Sequence, residues 1–194
     1  MAHKFLRGGL IYLLQPCHMS AMLLIIILLG PKEKKWPHVL LNIYFHIMWG
    51  TMLALLSPDL RDYDLFFEVE NFYIEHYLLL LAPVYMIWSN RYVIWPVSID
   101  VTFMSFSLFA LYHSFILSSM ALLIGENLNY LLVPPPGPLQ AFGKWYRPVM
   151  YMFCVGLTMS RYFLVELVIQ VLPRRSINPA LKEAQSGDTK RKLL

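Results

Sequence analysis

The sequence predicts an all-α, polytopic transmembrane helix bundle, and three observations predict it. Hydrophobic residues make up 58% of the 194 residues against 14% charged, and the mean hydropathy is +0.52, too apolar for a water-soluble domain of this size. The apolar residues gather into five runs, each long enough to span, since about 20 residues of helix cross the hydrocarbon core. The charges fall mostly between the runs and in a polar tail.

The five spans are expected near 10–29, 37–57, 72–89, 97–124 and 148–172, forming one transmembrane domain over 1–172. Residues 173–194 form a basic cytoplasmic tail expected to stay unstructured. Lys4 and Arg7 precede the first run as they would in a signal peptide. No small-residue cleavage pattern precedes Lys32-Glu33-Lys34-Lys35, so the first run is read as a retained span. No internal repeat is visible, and Pro134-Pro135-Pro136 is the main low-complexity feature outside the tail.

Counting lysine and arginine on alternate sides sets the orientation. Lys32, Lys34, Lys35, Arg91 and the six basic residues of the tail lie on one side; Lys4, Arg7, Arg61, Lys144 and Arg147 lie on the other, with Arg161 inside a span. The positive-inside rule then makes the tail cytoplasmic and the N-terminus luminal or exterior. The net charge of +4 is therefore read as a topology signal and not as a nucleic-acid footprint. Asp59, Asp62, Asp64, Glu68, Glu70 and Glu126 fall on the luminal side as a consequence.

Gln15-Pro16-Cys17-His18 interrupts the first apolar run with an amide, a helix-breaking proline, a thiol and an imidazole. Polar groups in lipid are costly and are kept for a reason, and a proline frees a backbone carbonyl that a neighbour must satisfy. Cys17 and His18 are expected about two turns inside the luminal end of the first span. His76 with Glu75, His113, and His46 near the middle of the second span place further polar groups in or near the same layer.

Within that layer Cys17 is the natural nucleophile. A thiol reacts as the thiolate and needs a base or cation within reach. His18 is a poor choice of base, because adjacent helical residues point about 100° apart. His76 is the first choice, with Glu75 or Asn71 to orient its ring, and His113, flanked by Ser114, is the second. Such a Cys–His pair in lipid suits acyl transfer through a thioester and requires no metal, nucleotide or other cofactor. Cys154 is read as a small packing residue, which is the usual role of a lone cysteine in a membrane helix. Neither cysteine sits in a CxxC or zinc-ligand spacing, so no disulfide framework or structural metal is expected.

Two further groups carry two readings each. Asn127 and Asn129 either supply donors to a developing oxyanion or shape the loop that follows the fourth span. Arg161 needs an anionic partner, either Asp100 or Glu166 as an internal lock or else a lipid phosphate. The intramembrane histidines themselves either take part in chemistry or bond carbonyls exposed by Pro16 or Pro83. Trp36, Trp88, Trp95 and Trp145 read as interfacial anchors.

Gln15-Pro16-Cys17-His18, Asn71-Phe72-Tyr73-Ile74-Glu75-His76-Tyr77 and Gly125-x-Asn127-x-Asn129-Tyr130 together resemble the transmembrane protein 164 family, through nearly the whole chain up to the tail. The resemblance implies a cysteine-dependent acyltransferase that builds polyunsaturated ether phosphatidylethanolamines, related in fold to the androgen-induced membrane hydrolases. Carried across by position, Cys17 matches the acyl-accepting cysteine and His76 the partner histidine. Beside them, His18, Glu75, Asn127 and Asn129 are read as substrate-binding candidates. The implied partners are a phospholipid donor and a lyso ether phosphatidylethanolamine acceptor, in the endoplasmic reticulum or another endomembrane. The family carries additional spans ahead of the Gln-Pro-Cys-His helix, so the resemblance also implies a shortened form that is inactive or hydrolytic if those helices wall the site. The rival readings are a transporter or channel subunit relaying protons through His46, His76 and His113, and an ester hydrolase using Ser20 or Ser114.

Overall fold

The computed structural model describes residues 9–61, 63–135 and 137–171, and among these every regular element is helical. The expectations for Lys4, Arg7, Asp62, Pro136, Leu172 and the tail from 173 lie outside the described residues. Helix α1 spans Pro16–Leu29, α2 Lys35–Ile47, α3 Trp49–Leu56, α4 Glu68–Trp88, α5 Ile99–Leu111, α6 Ser118–Ile124, α7 Tyr146–Thr158 and α8 Arg161–Val171. Three of the resulting segments are long and apolar enough to cross a membrane: Lys35–Leu56, Ile99–Ile124 and Pro138–Val171. Helix α4 has the length but carries more polar residues, and α1 is apolar but only 14 residues long.

The first span departs from the continuous helix expected over 10–29. Leu10–Leu14 form a 3₁₀ turn, Gln15 is extended at φ −60° and ψ 145°, and the α-helix begins at Pro16. The proline ring disfavours the α conformation at the preceding residue and suits the first helical position, where no N–H is needed. Cys17 and His18 therefore lie in the first turn of α1, not two turns inside a longer helix.

At the other end of α1, Gly30 turns the chain where an added Cβ would meet the Trp36 ring at 2.5 Å and the Pro37 ring at 2.8 Å. Lys32 Nζ donates to the carbonyls of Ile27, Leu28 and Gly30 at 3.0, 2.7 and 2.6 Å. It thereby satisfies acceptors that the end of a helix leaves open, at the end where a cation is favoured.

The core between α1, α2, α4 and α8 is built from Leu24, Ile27, Leu41, Tyr44, Phe45, Leu79, Met86 and Val165. Pro83 removes an N–H from α4 and orphans the Leu79 carbonyl one turn earlier. The Tyr44 hydroxyl donates to that carbonyl at 2.9 Å. Tyr112 does the same for the Leu14 carbonyl beside the Pro16 break. Tyrosines, and not the histidines considered from the sequence, thus supply both proline-adjacent bonds. The outer surface is lined by large apolar side chains such as Leu78, Leu81, Leu122 and Leu123, all well exposed, as a lipid-facing surface requires.

Loops from alternate sides of the spans meet at opposite ends of the bundle. At one end His38 Nε2 donates to the Lys32 carbonyl (2.9 Å) and its Nδ1 accepts from the Val93 N–H (3.2 Å), while Asn42 holds the Val93 carbonyl and the Trp95 N–H at 2.9 Å each. At the other end Tyr130 donates to Asp59 at 2.5 Å and Tyr12 to Glu126 at 3.0 Å.

Candidate functional site

The packing of α1 on α4 brings the first turn of α1 against Glu75. His18 Nδ1 lies 2.7 Å from a Glu75 carboxylate oxygen, with His18 buried and Glu75 half-buried. The Cys17 sulfur, a His18 ring nitrogen and a Glu75 oxygen all lie within 4.8 Å of one another. A carboxylate can only accept, so Nδ1 carries the proton when the ring is neutral and the Nε2 lone pair is left available. His18 and Cys17 diverge by about 100° on their own helix, as expected, and a carboxylate from α4 completes the cluster with them. Glu75 orients His18 and not His76.

Cys17 also benefits from its position as the second residue of a helix. The open N–H groups and dipole of the first turn favour negative charge nearby, which Pro16 makes available by starting the helix there. The same three residues offer a thiolate, an imidazole and a carboxylate that could ligate a divalent ion. Tetrahedral zinc with bonds of about 2.0–2.2 Å would hold nitrogen and oxygen about 3.4 Å apart. The 2.7 Å contact is a hydrogen bond that such an ion would have to break.

His76 lies on α4 one position beyond Glu75. Its Nδ1 donates to the Phe72 carbonyl at 2.8 Å, and its ring packs on Phe72 with centroids 4.1 Å apart, which leaves Nε2 as the basic atom. His76, Cys17, His18 and Glu75 all line one cavity of about 1810 Å³, large enough for a lipid tail and head together. Ser20 and Cys154 also line it.

His113 is placed differently from its expected role as a second base. It sits in a π-helical turn, Tyr112–Leu117, with Nδ1 3.0 Å from the Tyr151 hydroxyl and Nε2 2.9 Å from the Asn129 amide. Asn129 donates to Nε2, so the one lone pair of the neutral ring is already used. Asn129 is thereby committed to His113. Asn127 is committed to its own loop: its Oδ1 accepts from the N–H groups of Leu132 and Val133 at 2.7 and 3.0 Å, and its Nδ2 donates to the Val133 carbonyl at 3.0 Å. The loop-shaping reading holds for Asn127, and Asn129 ties the same loop to His113. Asn129 and Tyr130 adopt left-handed φ values of 47° and 58°. That strain is offset by the Asn129–His113 and Tyr130–Asp59 bonds.

Other polar residues leave the layer inferred from the sequence. His46 bonds to the Asn42 carbonyl and Thr102 and does not line the large cavity. His46 bonds to Asn42 and Thr102, His76 to Phe72, and His113 to Tyr151 and Asn129, so among the described residues no direct hydrogen bond relays from one of these histidines to another. Ser114 pairs with the Tyr151 hydroxyl at 2.7 Å. Arg161 makes no ion pair with Asp100 or Glu166; it donates to the Trp95 carbonyl at 2.6 Å and more weakly to Asn42. The expected internal lock is therefore corrected to a carbonyl contact. Trp49, passed over in the sequence, is buried beside the large cavity with an indole N–H that finds no acceptor among the described residues. A tryptophan in an apolar run carries no signal that separates such a donor from an anchor.

The loops over the cavity carry the clearest electrostatics. Arg61 brackets Asp59 at 2.6 and 2.8 Å, and with Tyr130 it holds the Asp59 carboxyl well below the usual carboxylate range. Burial pushes the Tyr63 hydroxyl up to about 12.

A family model described as the TMEM164 family matches residues 11–165. A protein of Dictyostelium discoideum named Transmembrane protein 164 homolog is 35% identical over 139 residues, covering 70% of this chain and 49% of that protein. The chain thus spans about half the length of the curated relative it matches. No solved structure matches.

Proposed function

The chain belongs to the TMEM164 family, and from that premise we propose that it is an integral membrane cysteine acyltransferase acting on phospholipids. The observation that carries the reading is the Cys17–His18–Glu75 cluster, set within 4.8 Å at a helix N-terminus on the wall of a large cavity. His18 Nε2 takes the thiol proton, and Glu75 stabilises the imidazolium that forms. The thiolate sulfur attacks the acyl carbonyl of a phospholipid donor, the ester C–O bond breaks, and the departing alkoxide recovers the proton from His18. In the second half the acceptor hydroxyl gives its proton to His18 and attacks the thioester carbon. The C–S bond breaks and the thiol is restored.

Donor and acceptor follow from the family reading: a polyunsaturated acyl chain moves to a lyso ether phosphatidylethanolamine in an endoplasmic reticulum or related membrane. If water replaces the acceptor the same cluster hydrolyses the thioester, so hydrolysis and transfer share one first half.

The experiment is intact-protein mass spectrometry of the chain in lipid nanodiscs, paired with lipid profiling of cells that lack the endogenous protein. A hydroxylamine-labile acyl adduct on wild type that is absent from Cys17→Ala, with polyunsaturated ether phosphatidylethanolamine restored only by wild type, is the expected result. Restoration by Cys17→Ala at equal expression overturns it.

A further inference from the structure

The large cavity has an arm that leads away from Cys17 along α1. Past Ser20, the α1 residues that line it are Met22, Leu23 and Ile26, which share one face of the helix. Helix α2 supplies Leu40, Ile43 and Ile47 to the same cavity. Helices α1 and α2 are joined by residues 30–34 and pack on each other as an antiparallel hairpin, so both sets of side chains border one groove between them. Every one of these six side chains is apolar.

The groove has a depth and a floor. At 1.5 Å of rise per residue, Leu23 lies about 9 Å and Ile26 about 13 Å down the helix from Cys17. An extended acyl chain, with C–C bonds of about 1.5 Å in a zigzag, covers the longer distance with roughly ten carbons. One turn beyond Ile26 the Trp36 ring lies so close to Gly30 that an added Cβ would meet it at 2.5 Å, which closes the space between the two helices. Met22 and Ile26 are 44% and 47% exposed on the outer surface, so the groove is open along one side to the bilayer. A lipid chain can enter it laterally.

We propose that this groove is the acyl-chain subsite: a chain whose carbonyl meets the Cys17 sulfur runs down between α1 and α2 as far as Ile26 and Leu40. The inference rests on the acyl-transfer reading and adds to it the path of the chain and the residues that bound it. The groove itself selects the occupant, because it starts at the nucleophile, offers apolar walls, opens toward lipid and has the length of a fatty chain's first ten or so carbons. Lipid tails are as apolar as these side chains, so the groove discriminates by shape and not by hydrophobicity. A bulky side chain placed at a given depth therefore obstructs only the chains long enough to reach it.

The test acylates the full chain in nanodiscs with p-nitrophenyl esters of four-, eight- and twelve-carbon acids and follows the Cys17 adduct by intact-protein mass spectrometry. In each case the sulfur bonds the acyl carbon, the ester C–O bond breaks, and p-nitrophenol leaves with the thiol proton passed through His18. Leu23→Trp should lower the eight- and twelve-carbon rates relative to the four-carbon rate by about tenfold, the scale of overpacking a filled space. Ile26→Trp, placed deeper, should lower only the twelve-carbon rate by that factor. Ile26 is nearly half exposed and accepts the larger ring, so it decides the matter if Leu23→Trp does not fold. Relative rates unchanged in folded Ile26→Trp, or falling there equally for eight and twelve carbons, would overturn the groove and leave the transfer reading standing. A wild-type chain that takes no four-carbon adduct would overturn the transfer reading instead. Retention of lauric acid, counted by native mass spectrometry, then judges the groove alone: loss in Ile26→Trp supports it, and retention equal to wild type overturns it.

Discussion

His18 Nδ1 and a Glu75 carboxylate oxygen stand 2.7 Å apart, joined across 57 residues of chain by the packing of α1 on α4. The contact fixes which ring nitrogen holds the proton and places a full negative charge where an imidazolium would form. Glu75→Gln keeps the shape and an acceptor but removes the charge. It should slow formation of the Cys17 adduct by about 10²–10⁴-fold while leaving thermal stability within about 1 kcal/mol, and Glu75→Asp should recover part of the rate. Stopped-time mass spectrometry of the adduct reads this directly, and an unchanged rate in Glu75→Gln would remove Glu75 from the mechanism.

His18 and His76 both line the cavity with a ring nitrogen left for chemistry, and their kinetics should separate them. His18→Gln is expected to lower the rate of adduct formation by about 10²–10⁴-fold, the usual contribution of a positioned base. His76→Gln keeps a donor for the Phe72 carbonyl and should act mainly on apparent lipid affinity, with the maximal rate within about tenfold of wild type. The reverse pattern would return the base assignment to His76.

How much of this was legible in the sequence depends on whether the controlling contact is local. The all-helical class follows from apolar runs that no soluble domain of this size could carry, and Cys17 stands out because a thiol, an imidazole and a proline occur together in lipid. The break at Gln15 had a local signal, the residue before a proline, but the apolar run on both sides hid it. The Glu75–His18 pair had none, since it exists only once α1 and α4 are packed. His113 misled for the same reason. A lone histidine on an apolar face reads as an available base until a left-handed loop residue, Asn129, is folded back onto it. Arg161 finds a backbone carbonyl, and a carbonyl leaves no mark in a sequence.

The Tyr44 bond to the Leu79 carbonyl should matter only because Pro83 is there. Tyr44→Phe leaves a buried carbonyl without a donor and is expected to destabilise by about 1–3 kcal/mol. Pro83→Ala restores an N–H that can reach the same carbonyl, so the double variant should lose much less than Tyr44→Phe alone. A thermal or denaturant cycle of the four proteins measures the coupling, and strict additivity would show that Tyr44 acts through packing alone.

Tyr130, Asp59 and Arg61 tie the loop after α3 to the loop after α6, over the mouth of the large cavity. The Asp59 carboxyl is held well below its ordinary value, first by Arg61 and then by Tyr130. A depressed folded value means that its stabilising contribution is fully present above the ordinary carboxylate pKa of about 3.9 and is lost as the pH falls through the folded value. Tyr130 is shifted the other way, raised by burial and then by Asp59, so its hydroxyl remains a donor up to and beyond its ordinary value near 10. The tie should therefore hold unchanged from about pH 5 to 8 and loosen only in acid below about pH 4. Hydrogen exchange corrected for the intrinsic pH effect should show flat protection of residues 57–61, 63–67 and 125–133 over that plateau in wild type, and lower protection at every pH in Tyr130→Phe. Protection that instead falls between pH 7 and 5 would mean that a histidine, and not Asp59, governs the loops.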